Sequence, residues 1–167
     1  LFLMPIFGLT HGLQPIIGYN YGARLYGRVS EAYRLGMKIA TALCFLVTGT
    51  VLIFAWPIVR CFTHDPDLLD VGTRGLRIFC SAFTVIGMPI ITIAYFQAVG
   101  RPALGILLSL LRQILVMVPL IILLPYCWGT AGIWLAGPVS DLLSSAVTAF
   151  AVVAELRHLR RLNEGVG

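Results

Sequence analysis

The chain has 167 residues, of which 59% are hydrophobic and 11% charged, and its net charge is +5. A soluble domain has about a quarter of its residues charged, so this composition excludes an ordinary water-exposed globule. The basic residues lie at the ends of apolar stretches, which indicates membrane topology rather than nucleic-acid binding as the source of the positive charge.

Apolar stretches follow one another along the whole chain. Each has roughly 20 residues, the length needed to cross about 30 Å of hydrocarbon as a helix. They predict an all-α, polytopic transmembrane bundle. Its five spans are expected at about 1–21, 35–56, 76–99, 103–124 and 131–154, with a basic tail at 155–167.

The connections are predicted from proline, glycine and charged residues. Arginines alternate with tyrosines and leucine over 23–34, which indicates a short amphipathic helix at the membrane interface. Pro57 is expected to end the second span, since proline cannot continue the helical hydrogen-bond ladder. An acidic loop is predicted over 57–75, with a helix beginning near Asp67. Shorter connections are expected at 100–102, a tight turn, and at 125–130.

Arginine is distributed unequally between the two sides of the membrane. Alternating loops place the arginines of 22–34, of the 100–102 turn and of the tail on one side, and Arg60 and Arg74 with three aspartates on the other. The first side is cytoplasmic by the positive-inside rule. The sequence thus predicts a multi-pass protein of the cell membrane with a cytoplasmic C-terminus and Leu1 at the outer face.

Motifs for metal binding and catalysis are absent from the sequence. The cysteines at 44, 61, 80 and 127 form no CxxC pair and have no histidine at ligand spacing, so no metal site is predicted. They are interpreted as small apolar packing residues, with a Cys61–Cys127 bridge as the alternative. No Gly-Lys-Ser/Thr loop and no Ser/His/Asp arrangement occurs, so an enzyme or an ATP-driven pump is not expected.

Four segments carry a family resemblance through their residues, order and spacing. They read QPIIGYNYGA at 14–23, YFQAVGRP at 95–102, LSLLRQ at 108–113 and GIWLAGPVSDLL at 132–143. The first combines a proline inside a membrane helix, a glycine for close packing and a polar, aromatic exit. Together they resemble the multidrug and toxic compound extrusion (MATE) family of secondary transporters, in its bacterial DinF-like branch.

The resemblance implies a twelve-helix transporter of two lobes, in which this chain forms the last five helices of the second lobe. Such transporters exchange H⁺ or Na⁺ for small organic, often cationic, compounds by alternating access, and need no other cofactor. The implied partners are these compounds, membrane lipid and the N-terminal lobe of the same protein. The start at Leu1, inside an apolar stretch, leads to the same expectation of a piece of a longer protein.

Asp141 is the only carboxylate well inside a predicted span. A charge there costs at least roughly 2.5–3.5 kcal/mol on insertion scales, so it is expected to face a partner or a cavity. Arg112, on the antiparallel fourth span, lies within about two helical turns in depth. Two interpretations remain open: a structural Arg112–Asp141 pair, or an ion or substrate site at Asp141.

Polar side chains on the other spans are candidates for lining a transport pathway. His11 and Gln14 lie one turn apart on the first span, and His11 either relays protons or forms an ordinary hydrogen bond. Gln14 and Gln113 are interpreted as pathway-lining, whereas Ser109 and Ser140 are interpreted as hydrogen bonds between helices. Gln97 belongs to the same set of neutral groups.

Four prolines lie well inside predicted spans, at Pro15, Pro89, Pro119 and Pro138. Each removes a backbone hydrogen bond, and transporters use such breaks as gates and binding sites. The alternative for each proline is a packing role that membrane helices tolerate. Their occurrence in four of five spans favours helix breaks in a moving protein.

Other functions of a membrane bundle stay open at the level of sequence. A lipid-linked oligosaccharide flippase of the same superfamily is one alternative, although it favours a more basic cavity than Arg112 alone supplies. A non-transporting scaffold or an inert fragment is another. Residues 76–99 contain no Asp or Glu, although several family members carry a carboxylate in the matching helix, so a sodium-site model does not transfer directly.

Overall fold

The computed structural model describes residues 4–164, with side chains at all of these positions except 130, 156, 158, 160 and 162–164. The described residues form helices and no strands, which confirms the all-α prediction. The helices are α1 (Met4–Gly22), α2 (Tyr26–Arg60), α3 (Pro66–Ser81), α4 (Phe83–Ala98), α5 (Pro102–Leu110), a π-helical segment (Leu111–Met117), α6 (Val118–Trp128) and α7 (Thr130–Glu164).

Several of these helices are long and apolar enough to cross a membrane. In the described part of the chain they are α2, the continuous rod from Pro102 to Trp128, and α7 over Ala131–Glu155, with a fourth if the bent pair α3 and α4 counts as one span. α1 has 19 residues. It is not among these helices, and His11, Gln14 and Asn20 interrupt its apolar residues.

The separate short helix predicted at 23–34 is wrong, because residues 26–34 are the first part of α2. The buried positions Val29, Tyr33, Gly36 and Ala40 recur every three or four residues and continue one face of a single helix into the core. Arg24, with a φ of 59°, makes the turn between α1 and α2.

Pro57 does not end the second span, since α2 continues to Arg60. The backbone instead leaves helical geometry at Phe54, with φ −96° and ψ 15°. A proline ring clashes with the carbonyl groups of the preceding turn, so its effect falls upstream of the proline itself.

The acidic loop predicted over 57–75 is much shorter than expected. Asp65 caps α3, and its side chain accepts a hydrogen bond of 3.0 Å from the Asp67 amide. Pro66 occupies the first turn, where its missing N–H has no cost. The helix start predicted near Asp67 is thus confirmed, and the third span is a bent pair of helices rather than one helix.

The loop predicted at 125–130 is also too long. The helix continues through Pro125 to Trp128, and Gly129, with a φ of 56°, makes the connection to α7. Left-handed backbone of this kind favours glycine, so one residue is enough to end α6. α7 then extends into the segment predicted as a tail, as far as Glu164.

α4 lies at the centre of the bundle, between α1 and α5. A β-carbon at Gly18 would lie 3.3 Å from the Ala98 carbonyl oxygen, and one at Gly105 would lie 3.3 Å from that of Ile93. Both glycines therefore bring their helices into close backbone contact with α4. α2 packs against α1, α3, α4 and α7 and completes the core.

Candidate functional site: a polar cleft and a buried ion pair

A cleft of about 340 Å³ opens between α1, α4 and the rod formed by α5 and the π-helical segment. It is bounded by the close contact between Gly18 and Ala98 near the C-terminal ends of α1 and α4. Its lining consists of Phe7, Thr10, His11, Gln14, Ile90, Ile93, Ala94, Gln97, Ser109 and Arg112. Polar groups from three separate elements thus meet within an otherwise apolar bundle.

Helical periodicity explains why these residues share one cleft. Positions 7, 10, 11 and 14 form one face of α1, and positions 90, 93, 94 and 97 form one face of α4. At the C-terminal end of the two faces the Gln14 amide donates to Gln97 Oε1 over 2.9 Å. Each glutamine keeps further donor and acceptor groups for a bound molecule.

Arg112 and Asp141 form an ion pair between the π-helical segment and α7. Arg112 Nε donates to Asp141 Oδ1 over 2.8 Å, and Nη2 of the same guanidinium lies 2.7 Å from that oxygen. The Asp141 side chain is 9% exposed and that of Arg112 is 34% exposed. The carboxylate is therefore buried behind the cleft, whereas the guanidinium reaches its surface.

The π-helical geometry around Arg112 has a partner on α7. Ser140 Oγ donates to the Arg112 carbonyl over 3.1 Å. A π-helical turn leaves backbone carbonyls without their usual i+4 partner, and a hydroxyl from a neighbouring helix compensates for this in lipid. Two adjacent residues of α7 therefore hold both the backbone and the side chain of Arg112.

The structure brings together most of the residues predicted from sequence. His11, Gln14, Gln97, Ser109 and Arg112 line the cleft. Asp141 contacts it through Arg112. Gln113 is exposed on the π-helical segment and is absent from the lining.

The four predicted proline breaks do not coincide with the bend between α3 and α4. Helices continue through Pro15, Pro89 and Pro138, and Pro119 lies in the first turn of α6, directly after the π-helical segment. The 45° bend lies at Ala82, between α3 and α4. Nearby Ser81 Oγ donates to the Ile78 carbonyl over 2.7 Å, a type of bond that bends helices.

A second polar network lies away from the cleft and was not predicted. Tyr95 donates a hydrogen bond of 3.0 Å to Glu155, which also pairs with Arg101 at 3.3 Å. Beside it the Tyr33 and Thr92 hydroxyls are 2.9 Å apart. These contacts tie α2, α4, the following turn and α7 together. Little in the sequence signals this network, since Glu155 follows the last apolar stretch as a solvated tail residue would.

No group of three or more His, Cys, Asp or Glu residues in the described part of the chain is arranged to hold a metal ion. Cys44 and Cys80 are buried and Cys61 and Cys127 are exposed, and all four thiols are free. The chemistry that the site offers is therefore hydrogen bonding, one buried ion pair and apolar contact.

Comparison with known proteins identifies the family. The MatE family model matches residues 1–123. The chain is 30% identical over 141 residues to the FAD transporter of Shewanella oneidensis, covering 84% of this chain and 31% of that protein. It is 27% identical over 157 residues to the multidrug export protein MepA of Staphylococcus haemolyticus, covering 93% and 33%. The chain thus spans about a third of the length of these relatives.

Solved structures agree with this assignment. A ligand complex of the MATE multidrug transporter DinF-BH matches with a TM-score of 0.87 and 34% identity, over 92% of this chain and 34% of that chain. An outward-facing and an inward-facing conformation of a MATE family transporter each match with a TM-score of 0.89 and 20% identity, over 96% of this chain and 36% and 38% of theirs. The latter two show the fold alone. The chain therefore belongs to the MATE family, whose members are multi-pass membrane transporters rather than enzymes.

Proposed function

We propose that the full-length gene product is a secondary active exporter that exchanges H⁺ or Na⁺ for small organic compounds across the cell membrane. The observation that carries this proposal is the polar cleft, in which His11, Gln14, Gln97 and Arg112 meet inside an apolar bundle. Polar groups inside an apolar membrane bundle cost free energy, and in membrane proteins they commonly mark a substrate or ion pathway. Kinship with multidrug transporters supports the same conclusion.

The chain on this proposal supplies one wall of a central cavity, and an N-terminal lobe supplies the other. The cleft is open on one side, where Phe7 is 46% exposed and His11 is exposed. The outward-facing and inward-facing solved structures share the fold of this part of the protein. Alternating access then arises from rocking of the two lobes around the cavity.

Asp141 is the group we propose for coupling transport to an ion. Among the described residues, it is the carboxylate that contacts the cleft, through Arg112. Its side chain is buried, so a change in its charge acts strongly on neighbouring groups. The Arg112 guanidinium already neutralises the Asp141 carboxylate. A proton can replace this contact by binding the carboxylate itself, whereas a hydrated Na⁺ would have to enter beside the guanidinium cation. This favours H⁺ as the coupling ion.

Export is tested with the purified full-length gene product in liposomes. An imposed pH gradient and, separately, an imposed Na⁺ gradient are applied, and uptake or release of a fluorescent organic cation is measured against empty liposomes. Movement of the dye against its own gradient only when protons flow the other way is the expected result. Dye movement unaffected by either gradient would contradict secondary active exchange.

An anionic cargo such as a flavin nucleotide is a second candidate, and two observations favour it. The FAD transporter of Shewanella oneidensis is 30% identical to the chain, and Arg112 is a cation at the surface of the cleft. The same liposomes loaded with FAD distinguish the two cargoes. Saturable FAD export, blocked by excess FAD but not by organic cations, would favour the anion.

A further inference from the structure

We propose that Arg112 selects the charge of the cargo and that proton binding at Asp141 expels a cation by uncovering the Arg112 charge. This inference rests on the proposed export function, whose coupling step it explains. It identifies the cargo bound in the resting state of the cleft as a monovalent organic cation or a neutral compound.

The geometry gives Arg112 two faces. Its Nε and Nη2 are directed to one oxygen of Asp141, which uses two of the five guanidinium N–H groups. The other three remain, and the side chain is 34% exposed and lines the cleft. Arg112 is therefore a buried partner of Asp141 and a cleft-lining group at the same time.

The charge of the cleft consequently depends on Asp141. Within the described residues the lining contains no carboxylate, and its ionisable groups are His11 and Arg112. With Asp141 ionised, the pair is neutral overall and the cleft tolerates a cation. With Asp141 protonated, an unbalanced positive charge lies at the cleft surface, where low dielectric makes repulsion of a second cation strong.

Other ionisable groups do not offer Asp141 an alternative partner. The elements packed against α7 carry other ionisable groups, among them Tyr33 and Cys44 on α2, Arg77 and Cys80 on α3, Tyr95 on α4, and Tyr126 and Cys127 on α6. Among the described residues, Arg112 is the one side chain that bonds the Asp141 carboxylate. His11 lies on the α1 wall of the cleft, and its protonation adds positive charge in the same direction.

Proton binding and cation binding oppose each other in this site, which is the relation that exchange requires. A proton and a cation exclude each other from the site, so loading one releases the other, as an antiporter requires. An anion behaves in the opposite way, because protonation of Asp141 frees Arg112 to bind it. Proton and anion then bind together and travel in the same direction, which is not exchange.

The test measures binding rather than transport, using the full-length gene product in detergent and equilibrium dialysis. The probes are tetraphenylphosphonium, a cation, and triphenylphosphine oxide, an uncharged molecule of related shape. The variants are Asp141→Asn, the double variant Arg112→Gln with Asp141→Asn, and Asp70→Asn as an exposed control. Affinities are compared over a range of pH, with His11→Gln as a control for histidine titration.

In the wild type we expect tetraphenylphosphonium binding to weaken as the pH falls. At high pH Asp141→Asn should bind this cation about tenfold more weakly than the wild type, a loss equivalent to about 1.4 kcal/mol, and this difference should shrink as the pH falls. Its binding of triphenylphosphine oxide should be normal. The double variant should recover cation binding and lose the pH dependence. If His11→Gln keeps the pH dependence of cation binding, this dependence comes from Asp141 and not from His11.

Equal loss of both probes in Asp141→Asn, without recovery in the double variant, would show a merely structural pair and overturn the inference. Unchanged cation binding in Asp141→Asn would overturn it as well. Failure of the export function is recognised separately, since it appears as absent exchange by the wild-type protein in liposomes.

Discussion

Arg112 is held by two neighbouring residues of α7, and this double attachment explains its position. Ser140 bonds its backbone carbonyl and Asp141 bonds its guanidinium. A long arginine side chain loses much conformational freedom when it is fixed, and two contacts at one place share that entropic cost. The pair is therefore part of the structure as well as a candidate for coupling.

Asp141→Asn is expected to lower the thermal stability of the protein in detergent, because it leaves the Arg112 charge without its partner. Removing one member of a fully buried pair costs roughly 3–5 kcal/mol. The loss here should be smaller because a third of the Arg112 side chain is exposed. Adding Arg112→Gln should restore part of the lost stability.

Asp70→Asn is the matched control for this prediction. Asp70 and Arg74 also form a close ion pair, at 2.9 Å, but their side chains are 60% and 76% exposed. Exposed helical pairs of this kind contribute about 0.3–0.5 kcal/mol. A melting temperature for Asp141→Asn no lower than that of Asp70→Asn would show that the buried pair adds nothing to stability.

The sequence offered the Arg112–Asp141 pair as one of two interpretations because both charges are isolated in apolar stretches at similar depth, and the structure shows the two side chains in contact. The sequence was insufficient for Glu155, which pairs with Tyr95 and Arg101, because Glu155 follows the apolar stretch and resembles a solvated tail residue. It also did not place Gln113, whose direction depends on the π-helical geometry of Leu111–Met117. Periodicity assumes 3.6 residues per turn, and a π-helical turn changes which side a residue faces.

At the scale of helices, proline identity was a poor guide to bending. The 45° bend between α3 and α4 lies at Ala82, where local serine and threonine hydroxyls bond backbone carbonyls, whereas three of the four predicted prolines lie within continuous helices. Glycine was the better guide. The glycine of the QPIIGY segment, Gly18, does lie at a close helix contact, as the sequence predicted.

Gly87→Leu should destabilise the bundle by separating α2 from α4. A β-carbon at this position would lie 3.1 Å from Cys44 Sγ and 3.3 Å from the Ala40 carbonyl oxygen, and a leucine needs much more room. Overpacking of this kind costs about 1–3 kcal/mol. Thermal unfolding monitored by fluorescence-detected gel filtration measures the effect.

Gly49→Leu provides the comparison on α2, since nothing lies within 4 Å of a β-carbon there. It should leave the melting temperature near that of the wild type. If the two leucine variants melt together, the close approach of α2 and α4 at Gly87 does not limit stability.

For the whole molecule, the arginine distribution predicts that the C-terminal ends of α2 and α6 face outward. The native thiols Cys61 and Cys127 lie at these ends and are exposed, whereas Cys44 and Cys80 are 1% and 3% exposed. Intact cells treated with a membrane-impermeant maleimide should therefore label Cys61 and Cys127. A cysteine introduced at Arg161, in a variant with the native cysteines replaced by serine, should react only after the cells are opened.

The reverse pattern, with Arg161→Cys labelled in intact cells and the two native thiols protected, would invert the topology. Replacement of Cys61 and Cys127 by serine in the wild-type background controls for labelling elsewhere. The arrangement of the helices is unaffected by this outcome, because it depends on packing within the bundle, whereas the direction of insertion depends on the charges outside it.

The 167-residue chain expressed alone is expected not to lower dye accumulation in cells that lack their main efflux pumps. Its cleft is open on the α1 side, and the relatives with export activity in their names are about three times as long. Half of a cavity cannot alternate between two sides, because closure needs a second wall. The full-length gene product, expressed at the same level and confirmed in the membrane by immunoblotting, is the positive control. Reduced dye accumulation with the shorter chain alone would show that it forms a complete pathway, for example by self-association across the open face of the cleft. Cysteines introduced at the exposed residues Phe7 and His11 would then detect this self-association by cross-linking.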